Sequence, residues 1–138
     1  MTAVLPEDLK KLVDEEKVFA TVATLLPDGQ PHLTVVWVKR EGDDLLFSTT
    51  ESRVQGRNLA RDPRISVLIS PPGKPYTYAE IRGTATIMPD PERQLPDELS
   101  LKYVGSKYGE RNPDSVQETD RIIVRVTPEK LTHWPKPA

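Results

Sequence analysis

The hydrophobic pattern changes period more than once before residue 50. From Pro6 to Lys17, Leu9, Leu12 and Val13 share a face at helical spacing. Pro6 suits a first helical turn, and Glu7 and Asp8 suit its positive end, so a short helix is predicted. VFATVATLL, from Val18 to Leu26, is instead rich in β-branched residues and predicts a strand. Pro27, Asp28 and Gly29 supply turn chemistry. HLTVVWVKR, from His32 to Arg40, then alternates. His32, Thr34, Val36 and Val38 lie on one face, with Leu33, Val35 and Trp37 on the other. Neither face is wholly polar, which predicts that both are covered. After the turn EGDD, LLFSTT predicts a third strand, and the three strands together a meander of hairpins.

Beyond Thr50 the pattern continues in short elements. Glu51 to Asp62 predicts a helix capped by Ser52 or Thr50, stopped by Pro63 and weakened by Gly56. RISVLIS (64–70) and YTYAEIRGTATIM (76–88) predict the fourth and fifth strands, the latter with a bulge or bend at Gly83. A further helix is predicted over 97–104. SKYGERNPDSVQET (106–119) has no period, which in a compact domain marks a functional or mobile segment. DRIIVRVTP predicts a sixth strand. The chain is therefore expected to be mainly β: one domain over 1–138, a six-stranded antiparallel barrel with short helices plugging its ends.

Composition narrows the function. The 138 residues carry 19 Lys+Arg against 21 Asp+Glu, and a net charge of −2 argues against a general nucleic-acid binder. Fourteen prolines, about twice the usual share, fall between apolar runs and punctuate a turn-rich fold. There is no cysteine, which excludes disulfides, thiolate metal ligands and a cysteine nucleophile, and fits a reducing cytoplasm. The N-terminus has no apolar core of a signal peptide, and no apolar run reaches the roughly 18 residues of a membrane helix.

Against this acidic background, FSTTESRVQGRNLARDPR (47–64) concentrates four arginines directly after three hydroxyl residues. Arg53, Arg57 and Arg61 share a helix face, which suits a solvated surface paired with Glu51 and Asp62. The same stretch suits an anion site. Ser48, Thr49 and Thr50 precede a helix start with its free N–H groups, and Arg53 offers a bidentate fork. Both readings stay open on the pattern alone. The two histidines, His32 and His133, have no further ligands at metal spacing and read as hydrogen-bonded strand residues. There is no Gly-x-Ser-x-Gly elbow, Walker loop or Gly-x-Gly-x-x-Gly. Trp37, Tyr76, Tyr78 and Trp134 read either as core packing or as a stacking wall for a planar ligand.

The succession DGQPHLTVVWV, DDLLFSTT, SRVQGRNLARDPRISVLI, YTYAEIRGTATI and RIIVRVTPEKLTHW resembles the pyridoxamine 5'-phosphate oxidase-like split β-barrel proteins. Within these it looks most like the flavin/deazaflavin oxidoreductases that use coenzyme F420. The resemblance implies a homodimer with two cofactors in clefts at the subunit interface. Ser48, Thr49, Thr50, Arg53 and Gln55 would hold the cofactor phosphate, supported by Arg57 and Asn58. His32, Thr34, Val36 and Trp37 would lie along the tricyclic ring. Tyr76 and Tyr78 would come from the partner subunit or the cleft rim, and Trp134 would close the pocket. His32 and Tyr78 are the candidate proton donors, and 106–119 a candidate lid.

The family usually places lysine two residues after the arginine, where this chain has Gln55. A neutral amide donates to phosphate but supplies no charge, so the charge must come from Arg57 or elsewhere. The implied activity is hydride transfer between F420 and a planar conjugated small molecule such as a quinone or tetrapyrrole. FMN is the alternative cofactor. Alternative roles for the same fold are non-catalytic binding of flavin, haem or a long-chain ligand, and an oligonucleotide-binding barrel, which the acidic net charge disfavours.

Overall fold

The computed structural model describes residues 2–134. Seven strands form one antiparallel sheet in the order β2-β1-β5-β6-β7-β4-β3. They are β1 (Phe19–Leu25), β2 (Pro31–Trp37), β3 (Lys39–Glu41), β4 (Asp44–Thr50), β5 (Arg64–Ile69), β6 (Ala79–Pro89) and β7 (Arg121–Thr132). The helices are α1 (Glu7–Glu15), α2 (Val54–Arg61), α3 (Gln94–Tyr103) and α4 (Tyr108–Arg111), followed by a 3-10 turn over Pro113–Gln117.

The mainly β antiparallel class is as expected, with seven strands in place of six. The extra strand arises because the predicted run from His32 to Arg40 breaks at Val38. β2 pairs with β1 at one edge of the sheet, and β3 pairs with β4 at the other. One residue thus joins the two edges, which can happen only if the sheet curls until they meet. The expected meander is corrected accordingly: β1–β2 and β3–β4 are hairpins, but β2 and β3 do not pair. The barrel is split along this line.

The crossing creates a physical problem. Val38 is buried, yet its N–H and C=O belong to neither ladder, and buried unpaired peptide groups are costly. Two side chains at the end of α3 meet the need. The Val38 N–H donates to the Tyr103 hydroxyl at 3.2 Å, and that hydroxyl donates to the Val18 carbonyl at 2.5 Å. The Lys102 ammonium donates to the carbonyls of Val13 and Val38. Burial pulls the Lys102 pKa below its ordinary value, with Asp14 opposing. Trp37 stacks on the Tyr103 ring, 5.1 Å between centroids and 10° apart.

The core fills the curled sheet. Val22, Phe47, Val67, Ile81, Ile122 and Val124 point inward, and α1 closes one end by burying Leu9 and Val13. Each such side chain stabilises the fold by about 1.5–3 kcal/mol. A second, smaller cluster places Leu95, Leu99 and Tyr103 of α3 against Leu46 on the outer face of β4. β4 is therefore covered on both faces, and Leu45, Leu46, Phe47, Thr49 and Thr50 are all buried. α3 starts earlier than predicted because Asp90 accepts from the N–H groups of both Gln94 and Leu95 at 3.0 Å. Gly83 does mark a bulge: the β6–β7 register shifts between Arg82 and Gly83. A Cβ there would lie 2.2 Å from the Thr127 carbonyl oxygen.

Tyr103→Phe keeps the ring and its stacking but strands the Val38 N–H and the Val18 carbonyl. It is expected to lower the unfolding free energy by about 2 kcal/mol with an unchanged far-UV spectrum. Urea denaturation measures this, and wild-type stability in the variant would remove Tyr103 from this role.

Candidate functional site

A cleft opens at the split in the barrel. It encloses about 580 Å³. One wall is the edge strand β2 with Phe19 beside it. The floor is Ser48 at the end of β4, followed by Arg53, Val54 and Gln55 at the start of α2. Pro96 of α3, Tyr108 of α4 and Arg121 at the start of β7 form the third side. Apolar and aromatic surface thus faces a floor of hydroxyl and guanidinium groups. That suits a flat molecule with an anionic arm.

The hydroxyl run splits three ways. Strand alternation turns Ser48 into the cleft. Thr49 faces the core, wholly buried, and its hydroxyl has no partner among the described residues. Thr50 accepts from the Arg53 N–H at 3.2 Å and shapes the turn into α2. Ser52 extends that turn by donating to Asp120 at 2.6 Å.

The arginines divide in the same way. Arg61 donates to the Leu25 carbonyl at 2.6 Å and to Asn58 at 2.8 Å, and Asn58 donates to Thr24 at 3.0 Å. These contacts bolt α2 to the end of β1. Arg64 pairs with Asp62, whose carboxyl is held at about 2 by that guanidinium and the Arg64 N–H. Arg53 and Arg57 are exposed, and neither guanidinium has a hydrogen-bond or ion-pair partner among the described residues. Arg53 lines the cleft and Arg57 does not. Gly56 explains itself by contact: a Cβ there would sit 2.0 Å from the Thr50 carbonyl oxygen, so only glycine lets α2 seat on the strand end.

Of the residues singled out in the sequence, His32, Thr34, Val36, Trp37, Ser48, Arg53 and Gln55 come together around the cleft. Gln55 is buried, and its amide donates to the Thr34 hydroxyl at 2.6 Å, so it braces the β2 wall. Asn58 faces β1 from the buried side of α2. Tyr76 is 94% exposed on the β5–β6 connection. Tyr78 packs on His133, 5.3 Å between centroids. Trp134 donates to Asp8 of α1 at 2.8 Å and packs on the core. None of these last four lines the cleft.

The pattern missed Phe19, Val35, Val54, Pro96, Tyr108 and Arg121. Tyr108 lies in the segment without period, which is ordered and docked on α3. Asp97 accepts from the Gly109 N–H at 2.8 Å, and Arg111 donates to Ser100 at 2.8 and 3.0 Å. Arg121 is buried at 6% exposure and tied to Glu118 at 2.7 Å, Ser48 at 3.2 Å and the Tyr108 hydroxyl at 3.1 Å. The Tyr108 hydroxyl also donates to Glu118 at 2.5 Å. Burial raises the Glu118 pKa, but Tyr108 and Arg121 outweigh it and hold the group below its ordinary 4.5. The one sequence signal for Arg121 is a cation at the opening of the strand RIIVRV, and only the pairing of Thr50 with Arg121 shows where it lands.

The family model for Pyridoxamine 5'-phosphate oxidase matches residues 5–135. The chain belongs to this family. Among solved structures, an F420 reductase is 31% identical, with a TM-score of 0.80 over 94% of this chain and 99% of that one. The conserved hypothetical protein Rv2991 from Mycobacterium tuberculosis is 26% identical, with a TM-score of 0.75 over 99% and 92%. A pyridoxamine 5'-phosphate oxidase-related, FMN binding protein from Nostoc punctiforme shares the fold at 16% identity, with a TM-score of 0.59 over 82% and 71%. Membership supports a flavin-related oxidoreductase with a flavin-type cofactor. No helix among the described residues is long and apolar enough to cross a membrane, and no group of His, Asp or Glu there could hold a metal ion.

The Glu118 contacts give this site a pH dependence. A carboxylate with a lowered folded pKa contributes fully above its unfolded value and loses that contribution as pH falls through the folded value. The docking of α4 on β7 is therefore expected to loosen in acid, below about 4.5. Near-UV circular dichroism should report the change. Glu118→Gln should remove this component, and a variant profile identical to wild type would exclude Glu118 as its source.

Proposed function

We propose that the protein is an F420-dependent oxidoreductase that moves a hydride between the deazaflavin and a planar conjugated small molecule. The observation that carries this reading is the cleft itself, with Val35, Val36 and Trp37 among the β2 residues of its wall beside a floor of Ser48 and Arg53, in a chain 31% identical to an F420 reductase. When bound, the cofactor supplies the hydride chemistry.

The chain's own residues bind and orient. Arg53 holds the phosphate with a charge-assisted fork, and Ser48 adds a hydrogen bond. The N–H groups at the start of α2 complete the floor, since α2 has no side-chain cap. Thr50 shapes this floor through its turn, Thr49 through its place in the β4 ladder, and Asn58 by seating α2. Arg57 stands one helical turn beyond Arg53 and extends the positive surface outward. His32, Thr34, Val36 and Trp37 lie along the ring, with Gln55 holding Thr34 in place. His32 is the candidate proton donor within the cleft, and Tyr78 a second from the β5–β6 connection.

The outer face of β2 and its neighbours supports a homodimer. Phe19 is 60% exposed, Leu33 and Val35 are each 64% exposed, and Leu68 is 42% exposed. The β1–β2 and β1–β5 registers place Leu33 and Val35 on the same face as Leu68, with Thr21 and Ala23 of β1 between them. A second copy covering this face accounts for the prediction that both faces of β2 are buried, and would bring Tyr76 and Tyr78 toward its partner's cleft. FMN is the second reading of the cofactor, favoured by the family's own chemistry.

Fluorescence titration with F420 and with FMN tests the proposal. Saturable binding of F420, with reoxidation of the reduced coenzyme by a quinone or similar acceptor, is the expected result. Arg53→Ala should weaken binding about tenfold. No saturable change with either coenzyme sinks the oxidoreductase reading, and an unchanged affinity removes Arg53 from the site.

A further inference from the structure

Arg121 has no role in the reading above, yet it is the buried cation of the cleft. Its guanidinium can only donate. One of its N–H groups donates to the Ser48 hydroxyl oxygen at 3.2 Å, while Glu118 and Tyr108 hold its other edges. The Tyr108 ring lies under the guanidinium carbon at 5.0 Å. Arg121 is thus fixed from three sides and presents a donor to Ser48.

A serine hydroxyl has one proton and two lone pairs. With Arg121 occupying an acceptor site, the Ser48 proton needs an acceptor, and the described residues provide none. The open direction is the cleft, which Ser48 lines. Arg121 itself is charge-paired with Glu118 at 2.7 Å. It therefore adds little net charge to the site. What it adds is direction.

We propose that Arg121 is a positioning residue that sets the polarity of Ser48, making the hydroxyl a hydrogen-bond donor into the cleft for an oxyanion or carbonyl oxygen of the ligand. Arg53 supplies the attraction, and Ser48, oriented by Arg121, reads the acceptor atom. This arrangement serves a site where Gln55 is turned into the β2 wall and brings no charge. The proposal rests on the coenzyme reading only for the identity of the ligand, since any phosphate-bearing molecule on this floor meets the same donor.

A double-mutant cycle tests it. Wild type, Ser48→Ala, Arg121→Gln and the double variant are titrated with F420, with FMN and with inorganic phosphate, and thermal unfolding is followed in parallel. Ser48→Ala should weaken binding about tenfold. Arg121→Gln should weaken it similarly in wild type and hardly at all in the Ser48→Ala background, because its effect passes through Ser48. The ionic-strength dependence of binding should persist in Arg121→Gln and fall in Arg53→Ala. Arg121→Lys, one ammonium in place of a three-sided fork, takes the place of Arg121→Gln if the latter does not fold.

Additive losses would overturn the proposal, as would a loss that only tracks the melting temperature, or an Arg121 variant that binds as wild type does. A wild type that binds phosphate but neither coenzyme removes the oxidoreductase reading and leaves the cycle to be decided with phosphate. A wild type that binds none of the three overturns both.

Discussion

One hydroxyl group satisfies the backbone at the point where the chain passes from one edge of the sheet to the other. A strand that leaves one edge and joins the other at Val38 must abandon its ladder for a residue, inside the protein and out of reach of water. Tyr103 resolves this by accepting from Val38 and donating to Val18, which closes the end of the β1–β2 ladder, while its ring packs with Leu46 of β4 on the other side of the split. The cleft opens beside this crossing, between β2 and the end of β4. Covalently, the barrel passes from edge to edge at Val38. Energetically, it is closed by α3.

The anion floor shows how one short stretch is divided among structural and solvent-facing tasks. Arg61, Asn58 and Gly56 seat α2 on β1 and on the end of β4, by hydrogen bonds in two cases and by the absence of a side chain in the third. With the helix so fixed, Arg53 projects at its start with no internal partner among the described residues. A solvated face and an anion site are both present in the same helix, on different residues.

The fold was largely legible in the sequence, because β-branched runs separated by turn residues leave few arrangements other than an antiparallel barrel. The break at Val38 was not legible. Nothing in HLTVVWVKR marks it, since the residue that makes it possible is Tyr103, distant in sequence. Ser48–Arg53 stood out as a candidate anion site because helix-start chemistry is a local signal, whereas the β2 wall was implied only by the family resemblance. Tyr108 and Arg121 escaped because their role depends on pairing across the sheet. The start of β7 meets the end of β4 only through register. Gln55 was recognised as unusual, but its bond to Thr34 required β2 and α2 to be placed side by side.

α3 carries both the Tyr103 latch and the cleft residue Pro96, and it rides on β4 through Leu95 and Leu99. The width of the binding cleft is therefore inherited from a helix–sheet contact on the outside of the barrel. Repacking under α3 would retune which molecules enter, without altering any group that touches them. In this protein, selectivity can drift through the hidden face of a helix while the chemistry of the floor stays constant.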